Sequence, residues 1–488
     1  MPIRLSGLNS GLDTESIIQA LVSSYSVKKD KYVKAQTKLS WKQDAWKSLN
    51  TKIYSLYDKV GKLKYSDAWN MKTTTVSDST KVKVTAGGKA VNGNYSLQVE
   101  RLAKTGYLTG AELDAKTTEK STLKDLGYNG TGAISVTTAE GETKEITVDG
   151  DTTIKDFVSQ LNGAGLKANY DAKNQRIHVA ASDTGAKNDF TLSGDQDALK
   201  AFGLSDDVAN RVHGQDSIIH FNGAKYTSSG NSYEINGLTI EALAETGAQE
   251  VSITTKVDTE GLYNKVKDFL KDYNELINEM TKLYGADSSR GYEPLTSDEK
   301  DAMTDTQIEE WEKKIKDSLF RRDSTLSGIM TTMRMSMSKS YTVDGKSYSL
   351  SSFGIATLGI LNAPKNEESA YHIDGDSDDS DTSNKADKLM SMLTTEPDTV
   401  IDFMKQLATD LYDGLHTKMR STTLSSAYVV YNDKQMAREY SDYTTTIAKW
   451  EQKIADMEDS YYKKFAAMES ALAKLQSSSS SLGTLLGG

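Results

Sequence analysis

The most constraining feature of this chain is an apolar pattern stepping three and four residues in turn, present at both ends. In the first seventy residues it runs through Ile18, Leu21, Tyr25, Lys28, Tyr32, Ala35, Leu39, Lys42, Trp46, Leu49, Ile53, Leu56, Val60 and Leu63. Near the other end it runs through Tyr440, Tyr443, Ile447, Trp450, Ile454, Met457 and Tyr461, then steps to Phe465, Met468, Leu472 and Leu475. This spacing keeps one side of a helix facing a partner helix, as in a coiled coil. Two such seams in one chain are most simply satisfied by packing on each other, against the alternative of separate homotypic coils. A rod of ~45 residues would span roughly 70 Å. Only four prolines occur, none between Pro2 and Pro294, so nothing interrupts the first helix. Lys28 and Lys42 break the apolar stripe, either selecting register or laying their stems along the seam.

The first helix has a readable start. Asp13 is placed to cap it, Glu15 puts negative charge in the first turn, and Leu12 and Ile17 stand at the positions of a hydrophobic staple. Leu5 and Leu8, before the cap, are apolar residues awaiting a partner. The opening stretch is polar and broken by glycine, unlike a secretory signal, so it is expected to remain in the working protein. At the far end, SSSSS (residues 477–481) dilutes the seam before Leu482, Leu485 and Leu486. A serine-rich tail is expected to stay mobile until bound.

Between about residues 73 and 254 the composition turns to Gly, Asn, Asp, Thr and β-branched residues. Residues 81–103 alternate on both sides of a Gly-Asn pair and read as a hairpin. Residues 133–150 read as another, turning at Glu140-Gly141. A short amphipathic helix follows over 152–165, then further strands to Val257. The helical period returns from Thr259, with helices over 266–283, within 309–337, from about Ser383 to Leu393, and from Pro397 to about Arg420. The fold class expected is multidomain α+β: a coiled-coil stalk formed by the terminal helices, a helical domain, and inserted mainly-β head domains. The division expected is 1–40 with 440–488 as leg, 41–72 with 255–439 as helical stalk domain, 73–120 with 215–254 as one β-rich head domain, and 121–214 as a second.

Composition and motifs exclude much chemistry. The net charge of −11 argues against a nucleic-acid partner, and no apolar run is long enough for membrane insertion. There are no cysteines, hence no disulfides and no thiolate chemistry. None of the five histidines lies at metal-ligand spacing from another. Gly345-Lys346-Ser347 ends like a phosphate loop but lacks its first glycine, and reads as a hairpin turn. Asp374, Asp376 and Asp378 imitate a calcium loop, yet Asp379 replaces its glycine and Lys385 its bidentate glutamate, leaving a solvated acidic loop. The expectation is no catalytic, cofactor-binding or metal residue, and no enzyme.

GLNSGLDTESIIQALV (7–22), YSLQVERLAKTG (95–106), INGLTIEAL (235–243), VKDFLKDYNELINEM (266–280), residues 290–326, FGIAT (353–357) and DKLMSMLTTEPDTVIDFM (387–404) resemble, in order, the landmarks of the flagellar filament cap family, flagellar hook-associated protein 2. Members often carry Pro-Leu where this chain has residues 26–29, so here the first helix is expected to run on. The resemblance implies a cap at the distal tip of the flagellum that promotes ordered insertion and folding of exported flagellin without covalent catalysis. It implies flagellin and further copies of the chain, commonly in a pentameric ring, as partners. It also implies an extracellular location, reached unfolded through the flagellar type III export apparatus without a cleaved signal, with an export chaperone. Leu5, Leu8, Leu12, Ile17, Ile18, Leu21, Leu482, Leu485 and Leu486 would contact flagellin or neighbouring subunits. Leu39, Trp46, Leu49, Ile53, Leu56, Tyr443, Ile447, Trp450, Ile454 and Met457 would form the seam. The competing readings are a hook–filament junction protein, a flagellin-like subunit, or an adhesin binding host glycans through its heads.

Overall fold

The computed structural model describes residues 11–138 and 141–486, with side chains described as far as residue 481. Its helices are, in chain order, α1 (Thr14–Leu63), α2 (Ile154–Gly163), α3 (Gln196–Ala201), α4 (Thr259–Tyr284), α5 (Ser297–Asp301), α6 (Asp305–Asp317), α7 (Ser324–Ser338), α8 (Lys388–Thr395), α9 (Pro397–Lys418) and α10 (Asp433–Leu486). The chain folds into two compact units, one of Met1–Trp69 with Thr259–Gly488 and one of Asn70–Asp258. Among the described residues no helix is long and apolar enough to cross a membrane.

In the helical unit, α1 begins where its cap chemistry dictates. The Asp13 carboxylate accepts from the Ser16 amide at 3.1 Å and from the Ser16 hydroxyl at 2.6 Å. These bonds hold that carboxyl below its usual range. With no proline to stop it, α1 then runs unbroken through residues 26–29 to Leu63. Trp46, Leu49, Ile53, Leu56 and Val60 on α1 are each at most 3% exposed. They share the core with the inward stripe of α4 (Val266, Phe269, Tyr273, Ile277, Met280) and with Leu407, Leu411 and Leu415 of α9. Each such side chain contributes ~1.5–3 kcal/mol over its exposed state. The methionines Met330, Met333 and Met337 of α7 are buried in the same unit, whereas Met335 is 66% exposed. Asp344 and Gly345 both have positive φ between the paired strands Tyr341–Val343 and Lys346–Tyr348, which is the two-residue hairpin turn expected there.

The α1 lysines form a ladder of ion pairs: Lys34 with Glu299 at 2.8 Å, Lys42 with Asp323 at 2.8 Å, Lys52 with Glu279 at 2.6 Å and Lys59 with Asp272 at 2.7 Å. The hydrogen bond from Lys34, followed by that from the Thr296 amide, holds Glu299 below the ordinary carboxylate range. Most of these pairs are solvent-accessible and contribute ~0–1 kcal/mol each. Lys42–Asp323 is the exception. Asp323 is largely buried and also caps α7 through the Thr325 and Leu326 amides.

In the β unit, residues 81–103 do not form a hairpin. Val82–Ala86 pairs with Leu238–Ala242 in a three-stranded sheet, while Gly93–Arg101 lies between Val251–Val257 and Ser217–Phe221 in a five-stranded one. The Gly-Asn pair turns the chain between sheets, and each strand takes its partners from distant parts of the sequence. Val82, Val84, Leu97, Val99, Ile219, Leu238, Ile240 and Ile253 build their common core. The second expected hairpin forms: Thr131–Thr137 pairs with Thr143–Asp149, Gly141 has φ +74°, and Glu140 lies outside the described residues. Phe157 of α2 stacks on Phe202 at 4.0 Å in a separate core with Ile134, Val136, Ile177 and Val179.

Three further expectations give way. The acidic loop is not simply solvated: Asp376 is 7% exposed, Lys267 bridges Asp376 and Asp378 at 2.7 Å, and Lys385 pairs with Asp374 at 2.9 Å. Lysine ammoniums stand where a cation would. The helix expected from Ser383 starts only at Lys388, where Asp387 caps it through the Met390 amide. The serine-rich tail is helical, since α10 continues to Leu486. Its serines are exposed and need no core, and the Ser481 hydroxyl bonds back to the Ser477 carbonyl at 2.8 Å.

Candidate functional site

The candidate site is the pair α1–α10. Cross-helix contacts fix its sense: Tyr25 meets Trp450 at 6.4 Å, Tyr32 meets Tyr443 at 6.3 Å, and Gln36 donates to the Tyr440 carbonyl at 3.4 Å. Tyr462 donates to Glu15. As one number rises the other falls, so the helices are antiparallel and the two seams satisfy each other within one chain. Separate homotypic coils are therefore not needed.

Burial divides this pair into a hard base, a soft stretch beyond it, and a second buried patch at the start of α1. At the base Trp46 stacks on Tyr431 at 5.3 Å and meets the edge of Phe320 at 4.7 Å. Asn50 receives the Val430 amide at 2.9 Å, tying the start of α10 to α1. Further out, Leu39, Tyr443, Ile447, Trp450, Ile454 and Met457 are half-buried. Lys28 is exposed, but its ammonium lies 5.7 Å from the Trp450 ring, and Lys453 lies 5.0 Å from the same ring. The seam lysine thus snorkels onto an aromatic pair rather than entering the interface. Lys42 answers its own seam position differently, by pairing with Asp323.

At the start of α1 the buried residues are Thr14, Ile18 and Val22, spaced by four, rather than the expected Ile18–Leu21–Tyr25 steps. Steps of four relax the left-handed supercoil, as a stutter does, and rotate Leu21 outward. Leu21 is 43% exposed, Leu12 47% and Ile17 36%. Ile18 is 1% exposed, so among the expected contact residues it is corrected to an internal one. Its burial leaves nothing for a second protein to touch while the helices stay paired. Leu5 and Leu8 lie outside the described residues, as do the side chains of Leu482, Leu485 and Leu486. Sequence reading missed Thr14 and Val22. The signal was the four-residue spacing of Ile18 and Val22, masked by the heptad register chosen further along.

A second feature that periodicity did not single out locks the base. The Tyr57 hydroxyl meets those of Tyr412 at 2.7 Å and the His416 Nδ1 at 3.0 Å, and Lys64 sits 3.7 Å above the Tyr412 ring. Burial, with the Tyr412 hydrogen bond, pushes the Tyr57 phenol well above its usual range. Elsewhere in the helical unit, His372, Asp379 and Asp381 bring ligand atoms within 4.8 Å of one another. His372 Nδ1 is already bound to Asp379 at 2.6 Å. Burial alone would raise Asp379, but that bond and the Asp381 amide outweigh it and hold the carboxyl low. The cluster is a hydrogen-bonded pair within a turn. These arrangements offer apolar and aromatic surfaces for docking.

Residues 10–106 match the family model described as Flagellar hook-associated protein 2 N-terminus, and residues 214–477 match Flagellar hook-associated protein 2 C-terminus. The Flagellar hook-associated protein 2 of Halalkalibacterium halodurans is 24% identical over 98% of this chain and 99% of its own length. That of Escherichia coli K12 is 25% identical over 72% of this chain and 73% of its own. The crystal structure of the flagellar cap protein D1-D2-D3 domains from Escherichia coli superposes with a TM-score of 0.52 at 19% identity, covering 78% of this chain and 97% of that one. That likeness concerns the fold.

Proposed function

The chain belongs to the flagellar hook-associated protein 2 family, the filament caps of bacterial flagella, and we propose that it works as one at the distal tip of a growing filament. There it would retain emerging flagellin and offer it a site to fold and insert, without covalent catalysis. The observation that carries the reading is the antiparallel α1–α10 pair, firmly rooted at Trp46, only half-buried from Leu39 to Tyr25, and closed again at Val22 and Ile18. Elements that must grip, release and re-grip a changing surface come from the less stable end of a structure. The exposed Leu12, Ile17 and Leu21 support a flagellin- or subunit-facing surface at that end.

The finer parts of the proposal are a ring of copies, commonly five in the family, and delivery by the flagellar type III export apparatus with a chaperone. The proposed division remains a leg of 1–40 with 440–488, a helical stalk of 41–72 with 255–439, and β-rich heads of 73–120 with 215–254 and of 121–214. Host-glycan binding by the heads has no specific observation behind it. The experiment is a clean deletion of the gene in the source bacterium, scored by electron microscopy and by flagellin in the medium. Missing filaments with abundant monomeric flagellin outside, reversed by the intact gene, is the expected result. Normal filaments in the deletion strain would overturn the reading.

A further inference from the structure

Between the paired strands Ile355–Ala356 and His372–Ile373 the chain makes a long loop, residues 357–371. Its base is fixed. Ile355 and Ile373 are buried opposite each other, and Asn274 of α4 exchanges two hydrogen bonds of 2.8 Å with the Tyr371 backbone. Its tip is a hydrogen-bonded turn, in which the Gly359 carbonyl accepts from the Asn362 amide at 3.2 Å and from the Ala363 amide at 2.9 Å. The two central residues are Ile360, 83% exposed, and Leu361, 97% exposed, the highest values for large apolar side chains among the described residues. Turn centres ordinarily hold glycine, proline or small polar residues. Two aliphatic side chains held outward on a pinned loop have the form of a binding anchor, and long ordered loops are commonly functional.

The surrounding charge favours a protein over a membrane. The loop carries Lys365 against Glu367 and Glu368, and the chain's net charge is −11, so an anionic lipid surface would repel it. The helical unit itself offers a socket of matching chemistry, an open cavity of about 660 Å³ between α1 and the loop leading into α5. On its walls Val27 is 68% exposed, Ala35 and Tyr292 are half-buried, and Pro294 adds further apolar surface. Lys31 and Glu293 also line it, both exposed and neither with an ion-pair partner among the described residues. Lys365 and Glu367 of the loop are likewise without ion-pair partners among the described residues, so each sign of charge on the loop has a complement at the cavity.

We infer that the Ile360–Leu361 tip of one copy of this chain seats in the Val27–Pro294 cavity of a second copy. Tip and cavity are different surfaces of the unit, so the contact is head-to-tail and either closes into a ring or runs on as a fibre. Two side chains cover far less than the ~1,200–2,000 Å² of a stable interface. Two free copies therefore hold each other weakly, and the contacts add up where every copy both gives and receives one. This inference deepens the proposed ring of copies and rests on it.

The test is sedimentation equilibrium of the full chain from ~1 µM to ~1 mM, a range that covers weak association. Wild type should associate reversibly beyond the dimer. Leu361→Ser and Val27→Glu should each weaken that association about tenfold or more. Both positions are exposed, so both variants are expected to fold. An equimolar mixture of the two should form dimers and stop there, because one variant keeps an intact cavity and the other an intact tip. A wild type that stays monomeric throughout, association indifferent to either variant, or a mixture that behaves as the sum of its components would overturn the inference. Leu361→Ser that spares self-association but abolishes binding to purified flagellin would also overturn it, and would give the tip to that partner. The deletion experiment is separate: missing filaments together with a monomeric purified chain would sink this inference and leave the cap reading standing.

Discussion

Replacing Trp46 by alanine should cost far more than replacing Trp450, although both are seam tryptophans. Trp46 is 2% exposed and packs on two rings, Phe320 edge-on at 4.7 Å and Tyr431 face-on at 5.3 Å. An aromatic side chain of this size hides ~200 Å². At ~25 cal/mol per Å² that amounts to about 5 kcal/mol, as an upper figure because the unfolded chain already hides part of it. Core tryptophan truncations cost about 3–5 kcal/mol, and Trp46→Ala belongs in that range. Trp450 is half-buried, meets one ring at 6.4 Å and is flanked by two ammoniums, so Trp450→Ala should cost about 1–2 kcal/mol. The assay is urea unfolding with tryptophan excited selectively. All five tryptophans (Trp41, Trp46, Trp69, Trp311 and Trp450) lie in the helical unit, so the signal reports that unit and not the β unit. A Trp450→Ala loss equal to or above that of Trp46→Ala would refute the division into hard base and soft end. Amide exchange offers an independent reading: residues 46–60 should exchange near the global rate, and residues 20–36 much faster.

Asp323→Ala removes the α7 cap and the partner of Lys42 together, and should lower the stability of the helical unit by about 1–2 kcal/mol. Lys42→Met should cost less, because it leaves the cap intact; the same urea titration compares them. In the β unit, burial would raise the Asp189 carboxyl, but hydrogen bonds from His213 and the Phe190 amide, with the Arg211 charge, outweigh it and hold the group low. A depressed carboxyl contributes stability that is fully present above its unfolded value near ~4 and is lost as pH falls through the folded one. Asp189→Asn should therefore weaken the β unit by about 1–3 kcal/mol at neutral pH, with the difference shrinking below pH ~4. Hydrogen exchange at residues 105–109 and 210–212, measured at both pH values, checks it.

The parts of this fold that were legible carry a local signal: either a periodicity long enough to specify the element whatever its partner, or a partner adjacent in sequence. The α1 seam from Leu39 to Leu56 was readable because it lies within fourteen positions spaced three and four in turn, which leave no other register, and helix existence follows from that alone. The hairpin over residues 133–150 was readable because both strands are adjacent and of equal length. Residues 81–103 misled because alternation specifies a strand but not its neighbour. Val84 and Leu97 look like hairpin partners in sequence, yet their own partners, Ile240 and Val251, lie some 150 residues away. Long-range pairing leaves no local trace.

The candidate site was legible in proportion to how apolar it is. Leucines and tryptophans at helical spacing announce a seam, but whether a given one faces in or out depends on a rotation that a single four-residue step can reverse. Ile18 and Leu21, placed alike by spacing, part for that reason, the first buried and the second exposed. Lysines announce nothing by spacing, and the two at seam positions are resolved by opposite means, Lys28 over Trp450 and Lys42 onto Asp323. The first solution is loose and the second firm, and they fall on the soft and hard parts of the same pair. On the proposed reading a cap needs both in one helix: a base that keeps its place in the fold, and a stretch beyond it whose pairing is weak enough to be re-made. The fall in burial along the α1 seam from Trp46 to Tyr25, before Val22 and Ile18 close it again, is the physical content of that requirement.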